Sequence, residues 1–373
     1  MLDPREGLDA LVRMLRDDGH RVVGPVVRDG VIAYDDIVCG DDLPTGVAVE
    51  QAPGRWRLTQ TGGPTRFAWT PGADSWKPFV FPARQEVLRI RRTDGSFVVS
   101  RPAAPERPLA LIGARDCEVR ALEVLDRVML DADHPDPRYG DRRQGAFVVA
   151  VTCGEPAATC WCTSMGGGPH PQVGYDIRVT EVTDGGHRLV ATAGSERGSA
   201  LLDRLGATMA DDADLAAATS VAAAATARMP ARLPGAELPA RLAGSSLQPH
   251  WDVVAERCLS CGNCTMVCPT CFCSALADAP TLGAGDGADA CRVQEWASCF
   301  QLDHSNLGGR PVRATTVSRY RQWLTHKLQT WDAQFGTAGC VGCGRCTTWC
   351  PAGIDIVDEA AALIGTTSGG DPS

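Results

Sequence analysis

An α/β domain followed by a mostly helical, cysteine-rich domain is the fold class that the sequence predicts, and three observations carry it. An apolar strand, an amphipathic helix and a second apolar strand follow one another between residues 109 and 151. Proline and glycine then break the chain at Pro230, Pro234, Pro239 and Gly244. From about Gln248 onward cysteine and tryptophan punctuate a stretch that reads as mostly helical. The expected domains are residues 1–245 and 246–373.

The first hundred residues hold short β-type runs, such as 22–27 and 96–99, interrupted by Gly and Pro. Residues 109–113 are continuously apolar over a strand's length. Val119, Leu122, Leu125 and Val128/Met129 then recur on one helical stripe, and 146–151 is apolar again. A strand, helix and strand in that order imply a parallel pair. Residues 176–182 and 187–192 flank Thr183-Asp-Gly-Gly186, a hairpin signal, and an Ala-rich helix follows before the proline-broken boundary.

With 373 residues the chain can bury a substantial core, so its 17 cysteines are not needed to staple a small fold. Their number is odd, and Met1 to Gly19 is charged without an apolar leader. A reducing compartment with metal-bound thiolates fits better than a secreted disulfide framework. No stretch approaches the roughly 20 apolar residues of a membrane span, and Leu215 to Ala227 is too short. A formal charge of −9 argues against nucleic acid. The basic segment Arg310 to Lys327, with Tyr320 and Trp323, is expected to be a solvated or subunit-facing helix.

The strongest motif occurs twice. Cys258-x2-Cys261-x2-Cys264-x3-Cys268-Pro269 recurs as Cys340-x2-Cys343-x2-Cys346-x3-Cys350-Pro351. This is the spacing of two-cluster bacterial ferredoxins, in which the fourth cysteine of each run ligates the other cluster. The expected ligands are Cys258, Cys261, Cys264 and Cys350 for one 4Fe-4S cluster and Cys340, Cys343, Cys346 and Cys268 for the second. Zinc, held by paired knuckles, is the competing reading. The long insert 269–339 separates the motifs far more widely than in compact ferredoxins, so the second domain reads as a mostly helical dicluster ferredoxin domain. Such clusters leave no open catalytic position. Arg257, Arg345 and the basic 310–327 segment are placed to offset their negative charge.

Two further cysteine pairs echo each other: Thr159-Cys160-Trp161-Cys162-Thr163 and Thr270-Cys271-Phe272-Cys273-Ser274. Side chains two apart do not share a helix face, so both thiols of a pair reach one metal only from a turn or irregular loop. Around the first pair lie Cys153 and Cys117, at strand ends that emerge on the same sheet edge. Cys117, Cys153, Cys160 and Cys162 are therefore candidate ligands of a third iron–sulfur cluster, with Asp176 as a substitute. Buried inert thiols are the alternative. Around the second pair, Cys299 and Cys291 are candidates for a fourth cluster, which leaves Cys39 as structural.

Weaker features carry less. Gly166-Gly-Gly168-Pro169 reads as a Gly-rich turn or a close approach to a nucleotide or cluster, and Gly283-Ala-Gly-Asp-Gly287 as a loop. There is no P-loop, zinc-protease motif or nucleophile elbow, and His134, His170, His304 and His326 read as solvated or structural.

Ordered motifs from about residue 76 to 357 resemble the beta subunits of soluble, NADP-linked nickel–iron hydrogenases, the sulfhydrogenases. They include Leu111-Ile-Gly-Ala-Arg-Asp-Cys117, Asp136-Pro137-x-Tyr139, Cys160-x-Cys162-Thr-Ser-Met-Gly166, Gly174-Tyr-Asp176, Cys268-Pro-Thr-Cys-Phe-Cys273, Trp296-Ala-Ser-Cys299, His326-Lys327 and Cys340-Val-Gly-Cys-Gly-Arg-Cys346. Asp116 stands where relatives are expected to carry proline, and Trp161 where phenylalanine is usual. The resemblance implies a cytoplasmic four-subunit complex, in which this chain is a non-catalytic electron-transfer component. Its implied partners are the nickel–iron large subunit, the cluster-bearing small subunit, plus one flavin- and NAD(P)-binding subunit. The sequence itself lacks the paired Cys-x2-Cys ends that hold nickel and iron, and it shows no flavin or nucleotide signature. The nearest rival is the electron-transfer subunit of anaerobic sulfite reductases, against which Phe272 counts. A rival of another class is a non-redox, metal-stabilised interaction module.

Overall fold

A computed structural model describes residues 1–93, 96–131, 133–280 and 290–365. Its longer strands are β1 (Arg21–Arg28), β2 (Val31–Asp36), β3 (Val47–Ala52), β4 (Arg55–Gln60), β5 (Arg84–Thr93), β6 (Ser96–Ser100), β7 (Leu109–Ala114), β8 (Phe147–Val151), β9 (Ile177–Val182), β10 (Arg188–Ala193), β11 (Ser274–Pro280) and β12 (Ala290–Trp296), and a two-residue pair, Asn306–Leu307 with Arg310–Pro311, follows. The main sheet has the order β10-β9-β8-β7-β1-β2. Its four central strands run parallel, and a hairpin closes each edge.

Strands β7 and β8 are buried at every position, which is why both read as unbroken apolar runs rather than alternating ones. The helix Asp116–Met129 connects them and lays Val119, Leu122 and Leu125 on one face. The helix Glu6–Asp17 covers the other face with Leu8, Leu11 and Leu15. The Ala-rich helix Asp212–Ala227 is capped by the Asp211 carboxylate, which accepts from the Asp214 backbone N–H, and packs Ala218 against Val182 and Val190.

Beyond Gln248, where helix is expected, β11 and β12 interrupt the chain. They join β5 and β6 in a second sheet of order β11-β12-β5-β6, with Glu295 of β12 opposite Arg84 of β5. Backbone pairing thus runs across residue 245. The rest of the C-terminal part is helical around the cysteine motifs: His250–Arg257, Thr316–Thr325, a π-helical turn at His326–Thr330, Trp331–Phe335 and Ile356–Leu363. These helices share a core of Trp251, Tyr320, Trp323, Leu324, Val357 and Ala360.

The basic segment 310–327 is solvated only at its start, where residues 310–315 are largely exposed. Arg319, Tyr320 and Trp323 of the helix Thr316–Thr325, and Lys327 in the turn after it, are all buried, because this helix forms a wall of that core. The loop Gly283–Gly287 lies outside the described residues.

Candidate metal centres

Fifteen of the cysteines line four cavities. The first cavity encloses about 420 Å³ and is lined by Cys258, Cys261, Cys264 and Cys350. A central cavity of about 340 Å³ is lined by Cys268, Cys340, Cys343 and Cys346. The structure therefore gathers each crossed set, three cysteines from one motif with the last cysteine of the other. The local reason is the loop geometry. Gly262 and Gly344 sit in the left-handed region at φ +75° and +72° and start the short helices Asn263–Met266 and Arg345–Thr348.

A third, N-terminal cavity of about 470 Å³ is lined by Cys117, Cys153, Cys160 and Cys162 together with Cys343. Cys117 enters the first turn of the helix after β7, and Cys153 follows β8, so the adjacent parallel strands deliver both to one edge. Cys160 and Cys162 lie in a loop that closes into the short 3-10 turn Cys162–Met165. Asp176, the expected substitute ligand, points elsewhere. Its carboxylate accepts from the Val148 backbone N–H at 2.9 Å, from Ser195 Oγ at 2.6 Å and from Arg197. Asp116 lines the cavity instead, accepting from the Gly168 N–H at 3.0 Å, so the Gly166–Pro169 turn forms part of the same wall.

Contact between this cavity and the ferredoxin-type motif is tight. A Cβ on Gly342 would lie 2.6 Å from the Cys162 backbone, and one on Gly344 would lie 2.3 Å from the Thr159 carbonyl. Trp161 N–H donates to the Gly342 carbonyl at 2.9 Å. The β3–β4 hairpin adds to the seam: Gln51 Oε1 accepts from Thr159 and Thr348, and Trp56 stacks near Trp349 at 6.0 Å. Residues 1–75, silent in the sequence, thus help to clamp the second motif.

The fourth cavity, about 620 Å³, is lined by Cys271, Cys273 and Cys299, and also by His304, His326 and Lys327. Cys291 is not there. It sits within β12 opposite Ala279 and Arg89, where strand pairing holds it away.

Electrostatics separate the cations expected to offset cluster charge. Arg257 is paired with Glu359, and Arg345 with Glu118 at 2.7 Å inside the protein. Lys327 is different. Its buried ammonium donates to Thr270 Oγ1 at 2.9 Å and the Gly339 carbonyl at 3.0 Å, with no carboxylate partner among its hydrogen bonds. Burial works against its charge, but Cys268, Cys271 and Cys340 opposite outweigh this and hold its pKa well above the usual range. The Cys271 hydrogen bond, aided by Lys327, holds Cys268 well below the ordinary thiol range. Burial pushes Cys162, Cys299 and Cys340 up to about 12, so metal binding at these positions would release protons.

The donor set fits iron–sulfur cubes better than single ions. Among the described residues no three Cys, His, Asp or Glu side chains converge closely enough for one metal ion, whereas the thiols surround whole cavities. Buried polar atoms without a partner also collect there: Tyr320 Oη and the Nε1 atoms of Trp161, Trp323 and Trp331 all belong to cavity-lining side chains. An unmet buried donor is costly in an apolar pocket and useful beside sulfide. Sequence reasoning places Lys327 near the clusters only as part of a basic segment, and it misses Trp323 and His326 as wall residues. The only signal is their apolar and basic company in a helix, which reads equally well as surface.

These features define a protein of the iron–sulfur dicluster class. Residues 257–354 match the 4Fe-4S dicluster domain family. The chain is 31% identical over 280 residues to sulfhydrogenase 2 subunit beta of Pyrococcus furiosus, covering 72% of this chain and 80% of that one. It belongs to the sulfhydrogenase beta-subunit family. No solved structure matches it. Among the described residues no helix is long and apolar enough to cross a membrane.

Proposed function

We propose that the chain is an electron-transfer subunit of a cytoplasmic, NAD(P)-linked nickel–iron hydrogenase complex. In this reading it relays single electrons between a hydrogenase half and a flavin-bearing subunit, and it holds no catalytic residue of its own. The observation that carries the reading is the sharing of walls. The central cavity shares Cys346 and Trp323 with the first cavity, Cys343 with the N-terminal cavity, and Trp323 and Lys327 with the fourth. Redox groups in such neighbouring sites form a branched path.

When bound, 4Fe-4S cubes supply one-electron chemistry. The chain's part is to hold them with Cys258, Cys261, Cys264 and Cys350, with Cys340, Cys343, Cys346 and Cys268, and with Cys117, Cys153, Cys160 and Cys162. It excludes water with Trp161, Trp323 and Tyr320 and places Lys327 beside the central thiolates. Cys261 is exposed, as is Leu259, so the first site opens on the surface where a partner can exchange electrons.

Anaerobic purification from the native host tests this. The expected result is a brown protein with about twelve or more irons per chain, four per cube, a reduced-cluster paramagnetic signal and a co-purifying nickel–iron subunit. A colourless protein with no signal after dithionite sinks the electron-transfer reading. A sirohaem partner moves the chain to a sulfite reductase.

A further inference from the structure

The fourth cavity holds three thiols that neither ferredoxin-type set uses. Cys271 and Cys273 lie in the irregular segment before β11, and Cys299 lies in the turn after β12. Strand pairing brings the two segments together, and the Ala297 N–H donates to the Cys273 carbonyl at 2.9 Å. Lys77, buried, fixes the other end by donating from Nζ to the Cys271 carbonyl at 3.2 Å.

The opposite wall is the π-helical turn His326–Thr330. Such turns are rare and recur at functional sites. Here the turn carries His326 and Lys327, both of which line the cavity. The His326 ring lies 4.8 Å from that of Trp331, on the cavity wall. Trp331 is 1% exposed, lines the same cavity and has an Nε1 without a partner. The charged residues on the wall are the cations Lys327 and Arg313, which suit an anionic cluster.

We propose that this cavity is an additional iron–sulfur site, a 4Fe-4S cube held by Cys271, Cys273, Cys299 and the His326 imidazole. The proposal rests on the electron-transfer reading and adds a branch to it. The exchange assigned to the site is one electron with the central cluster across the Trp323 and Lys327 wall. One cube is oxidised as the other is reduced, and no covalent bond changes. Replacing one thiolate by a neutral imidazole removes a negative charge from the cluster, which raises its potential relative to an all-cysteine cube.

The test uses the full chain in its anaerobically purified complex, with iron quantitation on the chain once separated from its partners, and pulsed paramagnetic resonance after graded reduction. The expected wild-type result is about sixteen irons per chain, four per cube, and a strongly coupled histidine nitrogen that changes on 15N-histidine labelling. His326→Ala should lower the iron content by about a quarter and abolish that coupling. His326→Cys should abolish the coupling while keeping the iron, which separates ligand loss from misfolding. His304→Ala should leave both unchanged. Iron near twelve with the other three clusters detected overturns the fourth site while leaving the electron-transfer reading intact. A coupling that survives in His326→Ala overturns the histidine assignment.

Discussion

The ferredoxin-type sites and the N-terminal cysteine site are built by opposite strategies. In the former, three cysteines of each set come from seven consecutive positions, and glycines at φ +75° and +72° shape the loops locally. In the latter, Cys117, Cys153, Cys160 and Cys162 are gathered by a parallel sheet, a helix N-terminus and a loop from the same half of the chain. One site is specified by spacing and the other by topology. The two are nevertheless fused, since Cys343 lines both the central and the N-terminal cavity.

The largest effect should come from breaking the site that every other one touches. Cys340→Ala removes a thiol from the central cavity, and in the proposed reading folding around the central cluster goes with it. The expected outcome is loss of soluble holo-protein, or loss of at least one cluster with collapse of thermal stability, read by iron quantitation and a melting curve. The double variant Cys160→Ala/Cys162→Ala should be milder. It should lose one cluster while the two ferredoxin-type signals persist after reduction, because the sheet that carries Cys117 and Cys153 has its own core. If both variants behave alike, the two sites are one cooperative unit and the contrast fails.

The same contrast explains what is legible in the sequence. The repeated Cys-x2-Cys-x2-Cys-x3-Cys-Pro runs are local, so the crossed sets can be read directly, and the structure gathers each around one cavity. Strands β7 and β8 are legible because burial on both faces leaves no polar position to confuse the pattern. Strands β11 and β12 are not. Their sequence, Ser274 to Pro280 and Ala290 to Trp296, has little β-branched content and is held by pairing with the distant β5. Asp176 misleads for a related reason. Its motif neighbours sit near the cysteines in sequence, but its carboxylate is consumed by Arg197 and Ser195. His326 escapes sequence reasoning because only the folded π-helical turn carries it to Cys271 and Cys273.

A buried ion pair crosses the seam between the two regions. Glu118, at the start of the helix that carries Cys117, pairs with Arg345 of the second motif, accepts from Tyr34 Oη at 2.9 Å and from the Arg115 N–H at 3.1 Å. Both members of the pair are almost wholly buried, 1% and 3% exposed. Glu118→Gln leaves the Arg345 cation unpaired beside Cys117 and Cys343, and a loss of about 3–5 kcal/mol in denaturant unfolding is expected. Gly342→Ala acts on the same seam through the backbone. Its φ of +68° and the approach to Cys162 give a cost of about 1–3 kcal/mol or more, with selective weakening of the N-terminal cluster signal. An unchanged N-terminal signal in Gly342→Ala would separate the two cavities.

The smallest effect is expected where the two halves meet at the surface. Arg84 of β5 and Glu295 of β12 form an ion pair at 2.6 Å, with side chains 63% and 45% exposed. The pair joins the same halves of the chain as Glu118 and Arg345, but it does so in water, where screening and side-chain entropy cancel most of the attraction. Arg84→Ala should therefore cost under about 1 kcal/mol, and that cost should shrink further at high salt. The backbone ladder between β5 and β12 survives the substitution and carries the junction. If Arg84→Ala destabilised the protein as much as Glu118→Gln, burial would not be what distinguishes the two links. The N-terminal and ferredoxin-type regions would then be joined chiefly through the second sheet rather than through the cysteine seam.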